Sequence, residues 1–175
     1  MDELFQKDWK RYKGMDWKCK HWGRLLINKN MRYMYTGRMS QHKGILGKFF
    51  AVINKHQGEK MGNEIYFPSI GGGCVLAHPY GITMNPRAIL GEDVTLFKGC
   101  TMGSVRSGSR SGTPIIGDRV TIGCNAMVCG GITVGSDVLI SAGAFVNFDV
   151  PEHSVVIGNP GVIHFKQNAS VDYCF

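Results

Sequence analysis

PIIGDRVTIGCNAMVCGGITVGSDVLISAGAFV, residues 114–146, carries an aliphatic side chain at every sixth position: Ile116, Ile122, Val128, Val134, Ile140 and Val146. Four residues after each comes a smaller or β-branched one, as at Val120, Ala126, Ile132, Val138 and Ala144. A period of six fits neither the 3.6-residue repeat of a helix nor simple hairpin strands. It fits a solenoid in which each hexapeptide gives one short strand and one turn, and three hexapeptides close a coil. The aliphatic side chain then points inward and stacks on its equivalent one coil later, while the small residue lets the turn close.

Working backward, the pattern continues through Met102, Leu96, Leu90 and Met84 to Leu76 and Ile70, with Cys100, Val94, Ala88 and Cys74 at the small position. Two steps depart from the period. Leu76 to Met84 is eight residues, which bulges the chain around His78–Gly81 and sets there the one histidine of the repeat tract. Met102 to Ile116 is fourteen, so roughly eight residues within 104–114 leave the coil. That loop, rich in Gly, Ser and Arg and lacking an apolar anchor, reads as a mobile tip or as a flap that gains order on a ligand. The regular residues make about four and a half coils, a prism roughly 20 Å tall at the inter-strand spacing. Its ends need covering. N-terminal helices at one end and three chains packed around a threefold axis are two devices that would do so.

Before Ile65 the period is helical. Amphipathic helices are expected over 2–13, about 21–34 and 44–56, with Gly14 ending the first and Gly37 and Gly44 as breaks. The expected plan is a helical segment over 1–62, a mainly β solenoid over 63–166 with its excursion loop at 104–114, and a tail over 167–175.

The net charge of +7 is concentrated at the front: residues 1–65 hold 14 Lys and Arg against 6 Asp and Glu. The basic residues alternate with Trp, Leu and Tyr at helical spacing, so a solvated helical face is expected, with weak contact to an anionic membrane surface as the alternative and no nucleic acid as partner. No apolar run is long enough to span a membrane and no apolar leader opens the chain, so a cytoplasmic protein is expected, peripheral at the membrane's inner face under the alternative. The 6 cysteines show no C-x-x-C pair and are expected as free thiols.

The run 71–104, with 114–146 and VPEHSVVIGNP (150–160), resembles the serine acetyltransferase branch of the hexapeptide acyltransferases. FQKDWKRYKG near the start is similar to short members of that branch linked to capsule and exopolysaccharide synthesis. The resemblance implies a left-handed parallel β-helix, an exception to the right-handed crossover rule. It implies direct acetyl transfer from acetyl-CoA, lying between two prisms of a homotrimer, to an acceptor hydroxyl, with His78 as general base. The nearest acid, Glu64, is the candidate for orienting His78. A backbone N–H near Gly103 would meet the oxyanion. For the cofactor, the family's positions fall on Gly103, Cys124, Ala142 and Asn147. Because Phe148 replaces a family lysine, Lys166, Arg119, Arg106 or Arg110 would meet the 3′-phosphate. A metal site would need several converging histidines, and none is expected.

Three departures from the family pattern bear on the acceptor. Ala77 stands where serine enzymes have Asp, Gly112-Thr113-Pro114 where they have Arg-His-Pro, and Ile65-Tyr66-Phe67-Pro68 where they have Asp-Ile-His-Pro. A neutral acceptor needs neither charged partner, so a sugar of capsule or exopolysaccharide synthesis is favoured over serine, the acceptor of cysteine biosynthesis. A non-catalytic binding or scaffold module is the reading from another class.

Overall fold

The structure, a computed structural model, describes residues 2–173. Four helices come first: α1 (Glu3–Lys13), α2 (Trp22–Ile27), α3 (Lys29–Met39) and α4 (Ile45–Met61). The solenoid follows, one coil at a time. Its first coil is β1 (Val75–Ala77), β2 (Thr83–Met84) and β3 (Ile89–Leu90); its second is β4 (Thr95–Phe97), β5 (Thr101–Gly103) and β6 (Ile115–Ile116). Next come β7 (Thr121–Ile122), β8 (Met127–Cys129) and β9 (Thr133–Val134), then β10 (Val138–Ile140) and β11 (Phe145–Val146), and finally β12 (Ser154–Ile157) and β13 (Val162–Phe165).

Strands stack in parallel on their equivalents, giving one sheet from β1, β4, β7, β10 and β12, a second from β2, β5, β8 and β11, and a third from β3, β6 and β9. These are the three faces of a left-handed β-helix. Each aliphatic and each small position picked out by the six-residue period is at most 4% exposed. The inward column is therefore the core, and burying its side chains is the main stabilising contribution of the solenoid.

Register places both irregularities. Leu76 pairs with Leu96, whereas Thr83 pairs with Thr101. The first step is two residues longer than the second, so the extra pair lies between Ala77 and Thr83. Leu96 pairs with Ile122 and Met102 with Val128, eight beyond the regular step that joins Ile122 to Ile140. The loop carrying that surplus is tied down. Val105 and Gly112 exchange both backbone hydrogen bonds (3.0 and 2.9 Å), and the Gly131 N–H donates to the Arg110 carbonyl at 2.9 Å. Half-buried Val105, beside Gly130, is the apolar anchor that the sequence reading lacked.

The helices seal the first coil, whose upper strand edge would otherwise be unpaired. Arg38 and Asp8, both fully buried, pair at 2.8 Å. Arg38 also donates to the carbonyls of Ile70 and Gly71, and Asp8 accepts the Cys74 N–H. Arg11 donates to the carbonyls of Gly73 and Val94. Part of the basic excess is thus inside the fold rather than on a solvated face.

Two helix expectations change. Asn28, extended at φ −82° and ψ 103°, splits the expected 21–34 helix and caps α3 by accepting the Met31 N–H. Gly37 lies within α3 instead of ending it; the Phe67 ring packs where its Cβ would stand, 2.3 Å away, so the glycine serves close packing rather than a helix stop. At the far end, β13 turns back antiparallel on β12, and Ser170 donates from its backbone and hydroxyl to Asp137, so the expected tail is anchored. Cys19, Cys74, Cys100, Cys124 and Cys129 are free thiols; Cys174 lies outside the described residues.

Candidate active site

Three corners join the three sheets, and the candidate residues divide among them. The corner after the first sheet carries His78 in the first coil and, going down, Lys98, Cys124 and Ala142. Hydrogen bonds tie its levels together: Gly99 N–H to the Tyr80 carbonyl, Asn125 N–H to Lys98 and Gly143 N–H to Cys124. Three coils separate His78 from Ala142, roughly 14 Å along the corner. Beside this edge Cys124 and Ala142 line one cleft of about 190 Å³ with Phe97, Thr121 and Leu139. Phe97 pairs with Ala77, so the cleft lies below the bulge.

The bulge is braced from two sides. His78 adopts a left-handed conformation (φ 57°), and the Tyr80 N–H donates back to its carbonyl at 2.7 Å across Pro79. Buried Asn63 donates to the Pro79 carbonyl at 2.8 Å and accepts the Ile82 N–H at 2.9 Å. Asn30, on α3, donates to the Leu76 carbonyl. The His78 side chain is exposed and has no hydrogen-bond partner among the described residues. It is held by its backbone, with the imidazole left for a ligand.

Asn63 and Asn30 went unread in the sequence. Both act from the helical side, Asn30 on a carbonyl of the edge strand β1 and Asn63 on the inserted bulge, and neither follows a period. Glu64, by contrast, is not brought to His78. Its backbone bridges Thr83 on the second sheet, and its side chain lines a groove with Tyr33, Asn54 and Tyr66 that excludes His78. The expected orienting contact is therefore missing in this structure.

Gly103 and Asn147 belong to the next corner, in one column with Cys129, where Gly103 pairs with Cys129 and Val128 with Val146. The strands of the second sheet lie between the His78 corner and this one, so within one chain the Gly103–Asn147 column and His78 stand on different corners. Lys166 is at the third corner, because β13 runs back along β12; its N–H donates to the His153 carbonyl, and its ammonium pairs with Asp172 at 3.3 Å. Arg119 shares that third corner, in a left-handed turn (φ 51°), and Arg110 pairs with Asp149 at 2.8 Å. Burial pushes the Cys74 and Cys100 thiols up to about 12, which makes them packing residues.

The family model for the bacterial transferase hexapeptide (six repeats) matches residues 113–147, and coil and model together define the class, a hexapeptide-repeat transferase. A serine acetyltransferase of Staphylococcus epidermidis is 30% identical over 157 residues, 88% of this chain and 68% of that protein. The crystal structure of Neisseria gonorrhoeae serine acetyltransferase superimposes with a TM-score of 0.74 at 29% identity, covering 94% of this chain and 66% of that one. The same enzyme in complex with serine gives 0.70 at 27% identity, covering 93% and 68%. The chain belongs to the serine acetyltransferase family, a family of acyltransferases, and spans about two thirds of the length of these relatives.

Proposed function

We propose that the protein transfers the acetyl group of acetyl-CoA to the hydroxyl of L-serine, with His78 as general base. The observation that carries this reading is the braced two-residue bulge, which holds an exposed, unpartnered histidine on the same corner as, and above, the Cys124–Ala142 cleft. The imidazole takes the hydroxyl proton as the oxygen attacks the thioester carbonyl. A backbone N–H near Gly103 meets the oxyanion, and the C–S bond breaks as coenzyme A leaves as the thiol, taking the proton from the imidazolium. No acyl-enzyme forms, so the cysteines have no part in the chemistry.

Because Gly103 and Asn147 stand on a different corner from His78, the site completes between two chains, which supports a homotrimer. Cys124 and Ala142 would then hold the cofactor on one chain, and Gly103 and Asn147 on its neighbour.

The relatives shift the acceptor. The relatives named above are serine acetyltransferases, which supports serine over the sugar of capsule synthesis. The neutral, 4% exposed Ala77 beside His78 remains the feature that speaks for an uncharged acceptor. Acetyl-CoA consumption against L-serine, simple sugars and nucleotide sugars separates the two: turnover of L-serine is expected, and turnover of a sugar alone would reverse the assignment. His78→Ala should lower kcat by roughly 10²–10⁴ with the oligomer intact; unchanged turnover would remove the base. A scaffold module would show no coenzyme A binding by calorimetry.

No helix among the described residues is long and apolar enough to cross a membrane. The outward stripe of Ile45, Phe49 and Val52 on α4, flanked by Lys48 and Lys55, supports a surface contact with anionic lipid as a separate reading. Flotation with anionic vesicles at low salt tests it, and protein left unbound there would end it.

A further inference from the structure

The root of the excursion loop holds a second concavity. Asn85, Arg87, Ser104, Arg106, Ser111 and Thr113 line a cleft of about 290 Å³. No carboxylate lines it, and among the described residues neither the Arg87 nor the Arg106 guanidinium has a hydrogen bond or ion pair. Nearby Arg110 is the contrast, held by Asp149 at 2.8 Å.

The frame of the cleft is fixed. Val105 and Gly112 close its back by their paired backbone bonds. The Thr113 hydroxyl donates to the Arg87 carbonyl at 3.0 Å, and the Arg87 N–H donates to Asn85 Oδ1 at 3.0 Å. Gly112, at φ 133°, lies so close to Gly131 that a Cβ would stand 3.0 Å from its Cα. Two forks of guanidinium donors on one polar, acid-free cleft match the planar or tetrahedral oxygens of an oxyanion. Ser104 directly follows Gly103, so the cleft opens beside the backbone assigned to the oxyanion.

We infer that Arg87 and Arg106 seat an anionic group of a reactant, either the carboxylate of an amino-acid acceptor or a phosphate of coenzyme A. The inference rests on the acetyl-transfer reading, and the experiment separates the two. Wild type, the double variant Arg87→Ala/Arg106→Ala and the control Lys48→Ala are titrated by calorimetry with L-serine, coenzyme A, coenzyme A lacking its 3′-phosphate, and inorganic sulfate.

Both arginines are exposed, so the double variant should fold. It should lose roughly tenfold to a hundredfold in affinity for one anionic reactant, as expected for losing hydrogen bonds to a charged group, and should also lose sulfate binding, while the control matches wild type. Weakened L-serine alone assigns the carboxylate. Weakened coenzyme A, with no loss for the form lacking the 3′-phosphate, assigns that phosphate. A double variant that binds all four as wild type does overturns the seat, even if transfer activity is normal. A wild type that binds sulfate through these arginines but transfers no acetyl group keeps the seat and removes the enzymatic reading.

Discussion

The two ends of the solenoid are closed by different means. At the upper end the strand edge is met by side chains from far along the chain: Arg38 and Asp8 on Ile70, Gly71 and Cys74, Arg11 on Gly73, Asn30 on Leu76 and Asn63 on Pro79. At the lower end a backbone ladder covers the first sheet, since β13 reverses on β12, and a single carboxylate, that of Asp137, clasps the following turn. A backbone cap copies the regular ladder. A side-chain cap can satisfy an irregular edge, and the irregular coil is the one that carries His78. The difference explains why the bulge lies at the helical end.

If this contrast is right, removing a polar group should be most costly at the upper end. Arg38→Ala strands a fully buried Asp8 and should destabilise by roughly 3–5 kcal/mol in chemical denaturation. A loss under about 1 kcal/mol would mean that the buried pair is not what holds the helices to the first coil. Asn63→Ala leaves the Pro79 carbonyl and the Ile82 N–H unpaired and should cost about 1–3 kcal/mol. It should also lower turnover per folded protein, because the bulge loses its clamp. Stability lost with turnover unchanged would separate the brace from the site.

The smallest effect is expected at the lower end. Burial pushes the Asp137 carboxyl up, but hydrogen bonds from His153 and from Ser170 outweigh it and leave its pKa below the ordinary 3.8. Its contribution is then complete above about pH 4 and fades as pH falls through the lowered folded value. Asp137→Asn should cost about 1 kcal/mol at neutral pH. Amide protection over 162–170, taken relative to the intrinsic exchange rate at each pH, should fall in wild type only below pH 4. Protection already lost at pH 6 would point to a different group.

The core was legible from the sequence because one rule, an inward side chain every six residues, fixes strand, turn and register together. Ile70 to Val146 could be placed inside without any knowledge of neighbours, and an eight-residue step sufficed to locate the bulge. The upper cap was not legible. Arg38 and Asp8 look like members of a solvated basic face, and only their meeting with Ile70 and Cys74 buries them. The place of Lys166 was not legible for a related reason: its corner depends on the reversal of β13, which the hexapeptide period does not signal. Cys124 and Ala142 line one cleft because they occupy the same place in successive coils, a relation that the period does signal. Glu64 was only close in sequence.

The order of manufacture gives the upper cap another meaning. Contacts within the coils join residues a coil or so apart, so the solenoid can grow as it is synthesised, each turn templating the next. The helices come first, yet Arg11 waits for Val94, and Arg38 waits for Ile70 and Gly71. Short helices gain little stability alone, so α1–α4 should stay open until the first coil arrives. That makes the assembly of the bulge a late step for the earliest part of the chain. The helical segment is then the stretch in greatest need of protection from aggregation while the protein is being made.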